Sequence, residues 1–218
     1  GRRGRMDSDV TVSAPPSAPP PISFRSELAR KATHMFALVI PAGYYVLGLG
    51  RGTMLAVMIP VALCTFFVDL ARLQGRPLWR DIFGPLFGRM IRAHEAAGDF
   101  TGATYILAST VATVALFPKA VAVAALAFTV VGDSLAAVIG RRFGRRRFLH
   151  GKSVEGSLAC LAGTVIVALL TPNLAAPAAF AGALAATVVE ALPLQIDDNV
   201  TIPLLSGLVM TLVLRILG

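Results

Sequence analysis

The sequence predicts an all-α fold: a polytopic membrane bundle of about seven transmembrane helices. Hydrophobic residues make up 56% of its 218 residues and charged residues only 15%, whereas an ordinary soluble domain has about a quarter charged residues. The mean hydropathy is +0.73, and a soluble fold of this size has too much surface to bury so much apolar area. The apolar residues also occur in long runs, as membrane helices of about 20 residues require.

The N-terminal segment differs in composition from the rest of the chain. Residues 1–26 include SAPPSAPPPIS, with five prolines in eleven residues, and such a segment is expected to be extended or disordered. Residues 1–5 are either native or an expression remnant that precedes a natural start at Met6. Residues 27–218 are expected to form a single transmembrane catalytic domain.

Hydropathy places seven candidate spans in this domain. They cover residues 32–49, 53–71, 102–117, 120–139, 156–171, 178–192 and 201–217. The third and sixth spans are short, and Pro60, Pro193 and Pro203 are expected to kink or end their helices. No soluble domain remains outside these spans, so any chemistry is expected at the membrane.

The basic residues predict the orientation of the bundle. Of the 20 Lys and Arg residues, 17 fall on one side of the predicted spans and only Arg51, Lys119 and Arg215 on the other. The positive-inside rule then makes the N-terminus cytoplasmic and the C-terminus external, in what we expect to be a bacterial inner membrane. The net charge of +8 does not indicate nucleic acid as a partner, because the basic residues lie between apolar segments rather than along one polar face.

The acidic residues give a second indication of sidedness. None of the 12 Asp and Glu residues falls in a predicted outer loop, and Asp133 and Glu190 lie inside spans near their cytoplasmic ends. The positive-inside rule does not require this, since acidic residues contribute little to topology. The asymmetry predicts an active site on the cytoplasmic face that handles a charged reactant.

Asp133 is the most informative single residue. A carboxylate inside a membrane span is costly and indicates a functional site by default; the alternative is an ion pair with a neighbouring arginine that serves packing. Gly132, Ala136 and Gly140 lie near its helix face, so either another helix or a ligand can approach closely. Because basic residues follow Asp133 in the chain rather than flank it, we expect a bound cation to keep its carboxylate ionised.

The next segment, GRRFGRRRFLHGKSVEGS, contains five arginines, a lysine and a histidine. Arginine binds phosphate strongly, so Arg141 and Arg142 are candidate polyphosphate ligands, although the loop equally fits an anchor for anionic lipid headgroups. A phosphate-binding glycine loop is excluded, because it would need glycine in place of Arg146. Ser153 is predicted to cap the fifth span with Glu155 in its first turn, and that helix end can also face a phosphate.

A third set of candidates lies between the last two spans. EALPLQIDDNVTIPL contains Glu190, Asp197, Asp198 and Asn199, and with Asp133 these oxygen ligands suit Mg²⁺. The alternative is a polar turn in which Asp and Asn cap helices.

The last set of candidate site residues lies at the start of the first span. ELARKATH places Arg30 and His34 one helical turn apart. Arg30 and Lys31 alone would also serve as interfacial anchors.

Four segments in order resemble the CTP-dependent lipid kinase family, which includes yeast-type diacylglycerol kinases, dolichol kinases and plant phytol and farnesol kinases. They are ELARKATHM, HEAAGDFTGATYIL, VGDSLAAVIGRRFG with GKSVEGSLA, and EALPLQIDDNVTIPLLSG. The resemblance covers residues ~27–210. Related phosphatidate cytidylyltransferases share the GD and EG elements, but they usually carry S-P-K-K-T where this chain has HGKSV, and a D-R-x-D-S element that is absent here.

The resemblance implies transfer of the γ-phosphoryl group of CTP to a membrane alcohol such as a polyprenol, phytol, farnesol or diacylglycerol, with Mg²⁺. It implies three groups of site residues. The catalytic group is Arg30, Lys31, His34, Asp133, Lys152 and Glu155. The substrate-binding and nucleotide-binding group is His94, Glu95, Arg141, Arg142, Ser153 and Asn199. The metal-binding group is Asp133, Glu190, Asp197 and Asp198.

Two other functions stay open from the sequence. A cytidylyltransferase would use the same nucleotide to make a CDP-lipid. A small membrane transporter or scaffold would use Asp133 in a translocation path, but it should expose polar groups on both faces, and the predicted outer half contains almost none. The expected partners are CTP, a lipid alcohol in the bilayer and the surrounding membrane lipids.

Overall fold

The computed structural model describes residues 31–88, 91, 93–148 and 151–218, and most of these residues are helical. The predicted Pro-rich segment and Arg30 lie outside the described residues. Residues 31–36 are helical, and short helical segments cover Leu78–Phe83, Gly84–Phe87 and Ala93–Ala96. The longer helices are α1 (Val39–Val46), α2 (Arg51–Leu73), α3 (Gly102–Leu116), α4 (Lys119–Phe143), α5 (Val154–Leu170), α6 (Ala176–Ala191) and α7 (Asp198–Leu217).

The helices α2, α4 and α7 are long and apolar enough to cross a membrane, with 23, 25 and 20 residues. The helices α3, α5 and α6 are apolar but shorter, with 15, 17 and 16 residues. These six helices coincide with six of the seven predicted spans to within a few residues. The prediction of an all-helical chain with apolar helices is therefore confirmed for this part of the chain.

The structure differs from the prediction over residues 32–49. The helix turns at residues 37–38 and α1 has only eight residues. The amide of Ala37 bonds to the carbonyl of His34 at 2.9 Å and that of Ile40 to the carbonyl of Ala37 at 3.0 Å, the tighter spacing of a 3₁₀ turn. Pro41 explains this, because it has no N–H for the Ala37 carbonyl and its ring crowds that carbonyl.

The other prolines have different effects. Pro60 and Pro203 lie inside α2 and α7, which continue past them. The helix α6 ends at Ala191, two residues before Pro193, as expected where a proline restricts the residue before it.

The central helix of the bundle is α4. It packs against α1, α3, α5, α6 and α7, and 67% of its apolar stretch is buried. Small residues let α5 approach it closely: a Cβ at Gly132 would meet the Cys160 Sγ at 2.9 Å, and one at Gly156 would meet the Ala136 carbonyl at 2.9 Å. The small residues beside Asp133 therefore allow α5 to pack closely against α4.

At the N-terminal end of α4, away from Asp133, two basic side chains connect the loops that precede α2 and α4. Arg51 donates to the carbonyl of Phe117 at 3.0 Å, and the Lys119 Nζ donates to the carbonyl of Leu49 at 2.9 Å. The Lys119 ammonium also lies 4.9 Å from the centroid of the buried Tyr44 ring. The basic residues at this end therefore stabilise the bundle.

Candidate functional site

A cavity of about 410 Å³ lies where the C-terminal half of α4 meets the start of α5 and the end of α6. Its charged lining consists of Lys31, Arg141, Arg147, Lys152, Asp133 and Glu190. Four cations against two carboxylates give this lining a positive surplus. A cavity of that sign favours an anionic ligand.

Asp133 projects into this cavity from α4, and its carboxylate bonds to the Lys31 Nζ. The His34 Nε2 lies 3.4 Å from the same carboxylate oxygen. Lys31 thus supplies a positive charge beside Asp133 that sequence reasoning did not foresee, and the expected bound cation stays a prediction. The cation in this contact is a lysine 102 positions earlier in the chain, and a further arginine partner stays a prediction.

Lys152 crosses the cavity from the α4–α5 loop to the end of α6. Its Nζ lies 2.8 Å from the Glu190 Oε1 and 3.2 Å from the Asp198 Oδ2, and it also donates to the Glu190 carbonyl. Burial alone would lower the pKa of Lys152, but the hydrogen bond to Glu190 and the charges of Asp198 and Glu190 outweigh burial and raise that pKa above its ordinary value. Lys152 is therefore fully charged at neutral pH.

Ser153 lines the cavity and caps α5, because its Oγ accepts from the amide of Gly156 at 3.1 Å. The predicted cap is confirmed. Glu155 is half-buried, and both of its carboxylate oxygens lie 3.4 Å from the amide of Arg146. It is absent from the cavity lining, and its catalytic role stays a prediction.

The acidic residues predicted to form a turn before α7 make contacts in two different places. Asp198 reaches Lys152, whereas the Asp197 Oδ1 accepts from the amide of Asn199 at 2.8 Å and caps α7. The buried Asn199 faces a small cleft against α1, α3 and α4 instead of the main cavity. Its Oδ1 has no hydrogen-bond partner among the described residues.

Glu95 bonds to the start of α3 and does not line the cavity. Its Oε1 accepts from the amide of Gly102 at 2.9 Å, and the neighbouring Asp69 accepts from the amide of Thr101 at 2.6 Å. The Arg72 Nε pairs with Asp69 at 2.6 Å. Both acids are buried, so this cluster satisfies the helix N-terminus and fixes α2 to α3.

Three other predicted residues lie apart from the cavity lining or outside the described part. Arg142 is exposed, and its guanidinium lies 5.5 Å from the centroid of the Phe143 ring. His94 is in the short helix Ala93–Ala96, with its side chain outside the described part, as is all of Arg30. Their binding and catalytic roles stay predictions.

Sequence reasoning did not single out Arg147 as a cavity residue. Its Nη1 donates to the carbonyl of Gly151 at 2.9 Å, and its backbone forms a bridge with Ser153. Within the run of three arginines no residue type or spacing separates Arg147 from its neighbours. Only the fold of the loop turns it towards the cavity.

Comparison with known proteins gives two distant relatives. The chain is 27% identical over 190 residues to an uncharacterised protein of Rickettsia prowazekii, covering 83% of this chain and 91% of that protein. It is 25% identical over 218 residues to CTP-dependent diacylglycerol kinase 1 of Saccharomyces cerevisiae, covering 88% of this chain and 74% of the kinase. No family model and no solved structure matches. The chain is thus distantly similar to a lipid kinase.

Proposed function

We propose that this protein is a CTP-dependent lipid-alcohol kinase that works at the cytoplasmic face of a bacterial inner membrane. The observation that carries the proposal is the cavity, in which four cations and two carboxylates converge at one end of an apolar helical bundle. The distant similarity to a CTP-dependent diacylglycerol kinase supports the nucleotide and the lipid class of acceptor.

The proposal includes a seven-span topology. The helix before α1 together with α1 would form the first span, and the N-terminus would face the cytoplasm. The 17-to-3 distribution of basic residues supports this orientation. A reporter fused after Gly218 should report the outside and one inserted at Arg145 the cytoplasm; finding both on one side would exclude seven spans.

The cationic lining would bind the triphosphate. Lys31, Arg141, Arg147 and Lys152 surround the cavity, and phosphoryl transfer depends chiefly on positioning and neutralising phosphate charge. Lys152 keeps its charge because of its raised pKa. Ser153 and the first amides of α5 add donors at a helix N-terminus, which favours phosphate.

The lining also fits a magnesium ion. The Glu190 Oε2 is buried and has no hydrogen-bond partner among the described residues. Those residues contain no group of three or more His, Cys, Asp or Glu side chains arranged around a metal, but Mg²⁺ at a nucleotide site typically takes one or two carboxylates together with substrate phosphates and water. Glu190 is the carboxylate suited to hold it, and the metal-binding roles of Asp133, Asp197 and Asp198 stay predictions. The ion would neutralise phosphate charge.

The acceptor would enter from the bilayer with its hydroxyl next to Asp133. In the proposed step the acceptor oxygen forms a bond to the γ-phosphorus as the bond to the β–γ bridging oxygen breaks, and CDP leaves. The hydroxyl proton passes to the Asp133 carboxylate, which Lys31 holds in place. General-base assistance of this kind contributes about 10²–10⁴ in rate.

The deciding experiment uses purified protein in detergent with Mg²⁺, CTP labelled at the γ or the α phosphate, and a panel of lipid alcohols. Label transferred to lipid from the γ but not from the α position supports the kinase. Transfer from the α position would instead establish a cytidylyltransferase. Absence of transfer from either position with every alcohol would refute both enzymes.

A further inference from the structure

The loop between α4 and α5 has two basic faces, and only one of them belongs to the cavity. Arg141, Arg147 and Lys152 line the cavity. Arg142, Arg145 and Arg146 are exposed and are absent from that lining. The cavity therefore does not explain the positions of these three exposed arginines.

The backbone of the loop separates the two faces. The amide of Phe148 bonds to the carbonyl of Lys152 at 2.9 Å, and the amide of Val154 bonds to the carbonyl of Arg146 at 3.0 Å. Within this segment Arg147 lines the cavity, whereas Arg146 and Phe148 on either side of it are exposed and are absent from the lining.

Two aromatic rings flank the arginines on this second face. The Phe143 side chain is 54% exposed and that of Phe148 39%, and the Arg142 guanidinium lies over the Phe143 ring. In water each exposed ring leaves apolar area without a buried contact. At a membrane interface the ring enters the acyl region while the arginine stays with the headgroups.

The length of α4 puts this face at that depth. Its 25 residues extend about 37 Å at 1.5 Å per residue, which exceeds the roughly 30 Å of the hydrocarbon core. Arg142 and Phe143 end the helix, so they emerge among the headgroups whichever way α4 crosses the membrane.

We propose that the outer face of the α4–α5 loop, formed by Arg142, Phe143, Arg145, Arg146 and Phe148, binds phosphate headgroups of anionic lipids in its own leaflet. A lipid fits better than a free phosphate or a nucleotide, because it brings an anionic headgroup together with acyl chains that both rings can enter at this depth. This site is distinct from the cavity and does not depend on the proposed enzymatic activity.

A quenching experiment tests this inference. Trp79 is the single tryptophan of the chain, so the variant Trp79→Phe/Phe148→Trp carries one reporter on the outer face. The full chain is reconstituted in phosphatidylcholine bilayers with increasing phosphatidylglycerol, and quenching by brominated forms of each lipid gives their relative binding constant. We expect a clear preference for phosphatidylglycerol that decreases with salt, since the contact is electrostatic.

Arg145→Gln and Arg146→Gln in the reporter chain should each reduce the preference about fivefold, the effect of ~1 kcal/mol per basic residue near an anionic surface. The matched control is Arg76→Gln/Arg80→Gln, which removes two exposed arginines elsewhere and should leave the preference unchanged. Phe143→Trp supplies a second reporter where the first chain does not fold.

Three results would overturn the inference. A relative binding constant near one in the reporter chain would mean that the face does not select anionic lipid. An unchanged preference in the Arg145→Gln/Arg146→Gln chain would mean that these arginines do not bind it. Displacement of phosphatidylglycerol by CTP at constant ionic strength would assign the face to the nucleotide. None of these readouts uses turnover, so they are independent of the kinase proposal.

Discussion

Replacing Lys152 by methionine tests the electrostatic centre of the cavity. Methionine keeps most of the side-chain volume and removes the ammonium that pairs with Glu190 at 2.8 Å and Asp198 at 3.2 Å. The Glu190 side chain is only 6% exposed, so it is left as a buried carboxylate without its cation. Asp198 is 31% exposed and can be hydrated instead.

Breaking a fully buried ion pair by removing one partner costs about 3–5 kcal/mol. Lys152 is 27% exposed, and water reduces that penalty, so we expect a loss of about 2–3 kcal/mol. For a chain of this size, this corresponds to a decrease in Tm of roughly 5–10 °C.

Thermal unfolding of the purified protein in detergent measures the effect without requiring activity. Lys152→Met/Glu190→Gln should recover more than half of the loss, because it removes the unpaired charge. The control is Arg80→Met, which breaks the exposed pair with Asp81 and should cost less than ~0.5 kcal/mol. If Lys152→Met matched this control, or if the double variant were no more stable than the single one, the reasoning would be refuted.

Three further predictions concern other charged groups. Asp133→Asn should reduce CTP-dependent transfer by about 10²–10⁴ while the protein still inserts and folds, and steady-state rates with circular dichroism test both parts. The folded pKa of Lys152 lies above its ordinary value of 10.5, so its ion pairs should stabilise the protein fully at neutral pH and lose this effect only above pH 10.5. The Tm of the unmodified protein should therefore fall more steeply in that range than the Tm of Lys152→Met. Lys119→Met should cost about 1–2 kcal/mol by removing a charged hydrogen bond to the Leu49 carbonyl, without changing the KM for CTP.

The positions of six helices follow from hydropathy alone, because an apolar run of sufficient length has few alternatives to a helix in a membrane. Over the first candidate span the helix is interrupted, for a local reason. Pro41 lies in an apolar run whose hydropathy is uninterrupted, and hydropathy does not register the missing N–H. The break at residues 37–38 follows from stereochemistry.

The local contacts of the site are also predictable from the sequence. Ser153 and Asp197 cap helices that begin immediately after them, and such spacing is visible in the sequence. The ion pairs were not, because Lys31 and Asp133 are 102 positions apart, and Lys152 and Glu190 are 38 apart. Which cation meets which carboxylate depends on helix packing around α4, and no pattern in the sequence encodes it.

The pairing pattern itself explains how a cavity with two carboxylates can attract a polyphosphate. Asp133 is bound by Lys31 and Glu190 by Lys152, so each acid is neutralised by a neighbour and repels an anion weakly. Arg141 and Arg147 then supply the surplus positive charge of the lining. An incoming phosphate can also share the two lysines, because an ammonium has three donors. The same carboxylates thus hold the two lysines in place before the nucleotide binds, and they are next to the phosphates afterwards.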